Sequence, residues 1–272
     1  MNDIFSFKRF WFFAKKEIFE KRLLLMGFLC VTNIIFLLTY SSGSENSEPI
    51  QYQHICIFLG IILSPSILVS FLLGSFSKKN SSIQFLTLPV SFFERWLVIL
   101  FITFVIYIPT VLFSLYFIDF YFVSHFRELA LEKKQIPLQV IASRFEYIGF
   151  VMNPANNMFK GYLLALIVLT GFFTLGALHF KNLSFYKTAL TVFLLFVVVI
   201  FYRNIVSKFI IGENINTNIN DFANAIVILK DNNRIFIASS EGVAFAINNF
   251  FKIILPVCLW LIALVGFKEK EI

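Results

Sequence analysis

Six stretches of this chain, 23–40, 55–76, 96–118, 161–180, 188–202 and 253–267, contain no Asp, Glu, Lys or Arg. That pattern leaves few ways to fold. In hydrocarbon every backbone N–H and C=O must be satisfied within the protein, which a helix achieves alone. About 20 apolar residues, rising 1.5 Å each, cross the roughly 30 Å of a bilayer interior. The fifth and sixth stretches are short, and apolar neighbours with the stems of Lys187 and Lys252 complete them. Composition agrees: 58% of residues are hydrophobic and 14% charged, against roughly 45–50% and 25% in soluble domains. The expectation is an all-α integral membrane protein with six transmembrane helices spread over 23–272.

Ser41, Ser42, Gly43 and Ser44 follow the first stretch and imitate a cleavage site. Its apolar run exceeds the roughly 7–15 residues of a signal peptide and its charged lead is long, so it reads as a retained span. The net charge of +7 is explained by where the cations lie. Lys8, Arg9, Lys15, Lys16, Lys21 and Arg22 precede the first span, Lys78, Lys79 and Arg95 occupy the second loop, Lys181 and Lys187 the fourth, and Lys268 and Lys270 the tail. The first loop holds Glu45 and Glu48 and no cation. Short loops rich in Lys and Arg stay in the cytoplasm, which puts both termini there and the loops 119–160 and 203–251 outside. The charge thus serves topology, and no nucleic-acid partner is implied.

Residues 1–22 form a cytoplasmic lead with an amphipathic pattern. On a 3.6-residue period Phe7, Phe10, Trp11, Ala14 and Ile18 share a face, with Lys8, Arg9, Lys15 and Lys16 to the side and rear. A helix of this kind lies on the membrane surface, each cation contributing about 1 kcal/mol of attraction to anionic lipids. Phe12, Phe13 and Phe19 interrupt the polar face, where protein can cover them. Further along, Ser66, Ser70 and Gly74 recur every fourth residue and permit close helix approach, within the subunit or across a dimer. Pro65, Pro109 and Pro256 interrupt three spans and each deprives the helix of a donor. Residues 124–135 read as helix up to Pro137. Residues 225–238, two apolar runs about a polar turn, fit either a β-hairpin or a helix.

The second loop, 77–95, carries the most specific pattern. From Lys78 to Trp96 it reads KKNSSIQFLTLPVSFFERW: basic residues, a Ser-Ser start, the apolar Ile83, Phe85, Leu86 and Leu88, a stop at Pro89, then Glu94 and Arg95 at the start of a span. This order resembles the loop between the second and third spans of ABC-2-type transporter permeases, most closely in Leu88-Pro89-Val90-Ser91 with an acidic residue three positions on. The amphipathic lead is similar to theirs too. The resemblance implies a six-span permease subunit in a bacterial inner membrane, working as an exporter. It would pair with a second permease copy or paralogue and dock an ABC ATPase subunit. Ser82, Ile83, Phe85, Leu86 and Leu88 would belong to the coupling helix that meets the ATPase, Pro89 would end it, and Glu94 would be the acidic residue near the third span. Ser81-Ser82 stands where the family has Gly-Thr, and the third loop is longer than the family's. These departures describe a divergent member and keep a non-transport membrane scaffold, binding an envelope partner through its outer loops, as the alternative.

No G-x-x-x-x-G-K-[ST], H-E-x-x-H or G-x-S-x-G occurs, so the chain is expected to be no enzyme and to carry no catalytic residues. His54, His125 and His179 are scattered, and Cys30, Cys56 and Cys258 form no CxxC, which argues against metal, cofactor and disulfide alike. The 38 phenylalanines accompany abundant Ile, Asn and Lys, as in AT-rich coding, and no stacking function is read from them. Within the spans as drawn there is no Asp, Glu, Lys or Arg, and a lone His179 at the inner end of the fourth does not make the relay an ion-coupled carrier needs.

Overall fold

The computed structural model describes residues 5–43, 49–74, 90–133, 145–180, 183–211, 216–219, 224–228, 234–238, 242, 245–246 and 249–269. Among these, six helices are long and apolar enough to cross a membrane, and the protein is a multi-pass membrane protein. Helix α1 (Phe7–Glu20) leads into α2 (Arg22–Ser41). Then come α3 (Pro49–Leu73), α4 (Phe92–Leu129, continuing helical to Lys133), a single turn α5 (Ile148–Val151), α6 (Asn157–His179), α7 (Ser184–Ile211) and α8 (Phe250–Glu269). Each apolar stretch read from the sequence lies largely within one of these helices.

Three strands lie between α7 and α8: β1 (Asn216–Ile219), β2 (Asn224–Ile228) and β3 (Arg234–Ala238), in an antiparallel sheet of order β1-β2-β3. Ile226 faces Phe236 in the β2–β3 register. Within the described parts of 225–238 the two apolar runs pair as antiparallel strands, as the hairpin reading expects, and the sheet is an addition to the expected all-α class.

The bundle is organised around α3. Two thirds of its apolar window is buried, against 11% for α7, most of whose described side chains are exposed. Phe36 of α2 lies so close to Gly60 of α3 that any Cβ there would overlap its ring, so glycine sets the closest approach of these two helices. Ser66 and Ser70 are buried, and Ser70 Oγ donates to the Phe173 carbonyl of α6 at 3.4 Å. The small-residue face is thus used within the subunit at Ser70, while a Cβ at Gly74 would meet only open space.

The three intramembrane prolines share one consequence. Residues Ile57–Leu63, Phe101–Tyr107 and Phe250–Ile254 are π-helical, and each widened turn ends two residues before Pro65, Pro109 or Pro256. Proline brings no N–H to the carbonyl four residues earlier and its ring crowds that carbonyl, and widening the preceding turn relieves both problems. Two of these turns meet, because Ser64 Oγ and the Tyr107 hydroxyl hydrogen-bond across α3 and α4.

One expectation about boundaries changes. The third helix does not stop at Ile118: it carries Asp119 inside it and continues well into the segment drawn as an outer loop. At 38 residues and 1.5 Å each it is about 57 Å long, nearly twice the hydrocarbon thickness, so it projects from the bilayer or crosses it steeply tilted. In α1, Phe10, Phe13, Ala14 and Glu17 are buried against protein, whereas Phe7 and Trp11 are 69% and 51% exposed, as an apolar face laid on a membrane would be.

Candidate functional site

Helix α4 begins at a capping box. Ser91 Oγ accepts from Glu94 N at 3.2 Å, and Glu94 Oε2 accepts from Ser91 N at 3.0 Å. Two backbone donors at the helix start are satisfied reciprocally, the S-x-x-E arrangement that Ser91-Phe92-Phe93-Glu94 encodes. The other carboxylate oxygen, Oε1, reaches across 85 residues of sequence and accepts from Arg9 Nε at 3.2 Å and Arg9 Nη2 at 3.1 Å, and from Ser6 N at 2.6 Å. Glu94 is 0% exposed. A buried carboxylate demands such company: four donors, two of them on a guanidinium, replace its water. Ring contacts close the joint, with Phe10 edge-on to Phe101 at 5.8 Å and Phe5 edge-on to Phe93 at 6.4 Å.

The far end of α1 is held as well. Lys21, which links α1 to α2, donates from Nζ to the Leu72 carbonyl at 2.7 Å and pairs with Glu17 at 2.7 Å. Leu72 is in the last turn of α3, where carbonyls lack helical donors and attract a cation. Helix α1 therefore bridges the end of α3 and the start of α4. Those are the two points at which loop 77–95 leaves and rejoins the bundle.

Of the residues singled out from the sequence, Glu94 lies in this joint. Ser82, Ile83, Phe85, Leu86, Leu88 and Pro89 lie outside the described residues. Arg9 and Ser6 were not anticipated as its partners. The charged side chain of Arg9 stands on the flank of an amphipathic pattern, and nothing local links it to a residue 85 positions away.

A second polar cluster sits at the opposite end of the bundle. Asp119 is 1% exposed, and its Oδ1 accepts from the Tyr40 hydroxyl at 2.5 Å and Gln53 Nε2 at 2.9 Å. Its Oδ2 accepts from Ile148 N at 2.7 Å, and Gln53 Nε2 also donates to the Glu146 carbonyl at 2.8 Å. The carboxylate thus joins α2, α3, α4 and the turn α5, with Phe145, Ile148 and Val151 packed beneath. Beside it His54 Nδ1 and the Tyr162 hydroxyl meet at 2.5 Å, linking α3 to α6. An isolated Asp at the end of an apolar run is the available signal, and by itself it marks the start of a loop as readily as a buried joint.

Among the described residues no group of three His, Cys, Asp or Glu is placed to hold a metal ion. Cys56 is buried, while Cys30 and Cys258 are exposed, and all three are free thiols. The chemistry of both clusters is mechanical: each ties separate elements through one carboxylate. No family model, characterised protein or solved structure matches this chain.

Proposed function

We propose that the chain is the membrane-spanning permease subunit of an ABC-type exporter, a divergent ABC-2-type member that works as a dimer, with a second copy or a paralogue, in a bacterial inner membrane. Both termini and loop 77–95 face the cytoplasm in this reading. A separate ABC ATPase subunit binds and hydrolyses ATP, and Ser82, Ile83, Phe85, Leu86 and Leu88 meet it.

The observation that supports the reading most is the double attachment of α1. Lys21 holds the Leu72 carbonyl before the loop, and Arg9 and Ser6 hold Glu94 at its end, where 92–95 already belong to α4. A push on the loop would not dissipate in a free hinge. It would be shared among α1, α3 and α4 through Glu94, because a buried, fully bonded carboxylate resists separation from its partners. The three proline-terminated wide turns supply the spans with points at which such a push can bend them.

A photo-crosslinking residue in place of Phe85 tests this in cells. The expected product joins the chain to a polypeptide that binds ATP through a Walker motif, since a large aromatic commonly anchors a helix in a groove. If Phe85 yields no such product while a probe at Asn232 captures an envelope protein, the chain is a scaffold and the permease reading falls.

A further inference from the structure

An open groove of about 420 Å³ runs along α8 where it meets α4 and α6, lined by Trp96, Pro256, Val257, Trp260 and Leu261, with Lys252 as its basic residue. Its walls are set in advance. Trp260 Nε1 donates to the Ile167 carbonyl at 3.2 Å, and the Trp96 and Trp260 rings stand edge-on at 6.2 Å. A groove shaped before its ligand arrives spends little entropy on ordering side chains. Lys252 lies in the widened turn that precedes Pro256, and it forms no salt bridge among the described residues.

Position along the helix says what fits. Lys252 is in the first turn of α8, at the level where a lysine amine reaches the polar surface of a bilayer. From there to Leu264, the far lining residue, is about 18 Å of helix, slightly more than half the roughly 30 Å hydrocarbon thickness. The groove therefore spans one leaflet, apolar along its length and cationic at its surface end. We infer that it is a site for one anionic phospholipid, with an acyl chain along Trp260 and Leu261 and the phosphate at Lys252. This site is independent of the permease reading and stands or falls without it.

The test is native mass spectrometry of the full chain in neutral detergent, with phosphatidylglycerol or phosphatidylcholine of identical chains added. The wild type is expected to retain phosphatidylglycerol over phosphatidylcholine. Lys252→Gln should lower phosphatidylglycerol retention about fivefold, the factor that about 1 kcal/mol per cation represents, and leave phosphatidylcholine unchanged. Leu261→Trp fills the groove from a position 57% exposed and should lower both lipids while leaving helical circular dichroism intact. Lys268→Gln, at the other end of α8, should change neither. Equal retention of both lipids by the wild type overturns the inference. So does equal loss in Lys252→Gln and Lys268→Gln, or a Leu261→Trp variant that folds and binds as the wild type does.

Discussion

Glu94 and Asp119 lie 25 residues apart on the same helix, one in its first turn and one well inside it, both almost wholly buried, yet they are satisfied by different chemistry. Glu94 is held by a guanidinium and two backbone amides. Asp119 is held by a phenol, a carboxamide and one backbone amide, with no cation among its described partners. The difference follows from exposure. Arg9 keeps 38% of its side chain in contact with surroundings, so it can neutralise Glu94 while its own charge stays partly solvated. At Asp119 the partners Tyr40 and Gln53 are 0% exposed, and a second buried charge there would carry its own desolvation penalty. The Glu94 joint is thus neutralised by a cation that reaches its surroundings, and the Asp119 joint is closed by neutral donors alone.

The largest effect that distinguishes them should come from Asp119→Ala. It leaves the Tyr40 hydroxyl, Gln53 amide and Ile148 N–H buried without their acceptor, each costing about 1–3 kcal/mol, for a total of about 4–5 kcal/mol. Denaturant unfolding of the purified chain in detergent micelles measures it. A loss below about 1 kcal/mol would mean that water or another acceptor replaces the carboxylate and that the end is not closed.

Glu94→Ala should cost less, about 2–3 kcal/mol in the same assay. The capping box is lost, but Arg9 can turn back to solvent. If it costs more than Asp119→Ala, the ranking of a solvated against an unsolvated joint is wrong.

The smallest change is Arg9→Lys, which leaves the buried Glu94 a cation and removes only the two-nitrogen contact; it should cost about 1 kcal/mol in the same assay. Tyr40→Phe, the matching change at the other end, removes one donor from Asp119 and should cost a similar amount. An Arg9→Lys cost above that of Glu94→Ala would show that geometry and not charge holds the joint, and the electrostatic contrast between the ends would disappear.

How much of this was legible differs from residue to residue. The six spans were, because an uncharged apolar run of this length has almost no other stable place, and the three prolines flagged the positions at which the spans widen. The end of α4 was not. Asp119 reads locally as a helix terminus, and only Tyr40, Gln53 and Ile148, brought to it from three other segments, let the helix run on with the charge inside. For α1 the periodicity is legible: Phe7 and Trp11 on the apolar face are exposed, as a face laid on a membrane would be, and Phe13, which interrupts the polar face, is covered by protein. The burial of Glu17 is not, because it depends on packing against α2 and α4 and on the Lys21 ammonium.

Hydropathy and the positions of proline by themselves determined that the chain crosses a membrane as six helices and which helices carry a widened turn, because burial in lipid and the loss of an N–H act on each segment separately. The burial of Glu17 in α1, where α4 ends, and that Glu94 and Asp119 each join elements were decided by the tertiary structure. A buried carboxylate is tolerable only with its donors in place, and those donors come from residues far apart along the chain, such as Arg9 for Glu94 and Tyr40 for Asp119, that meet only when the helices pack.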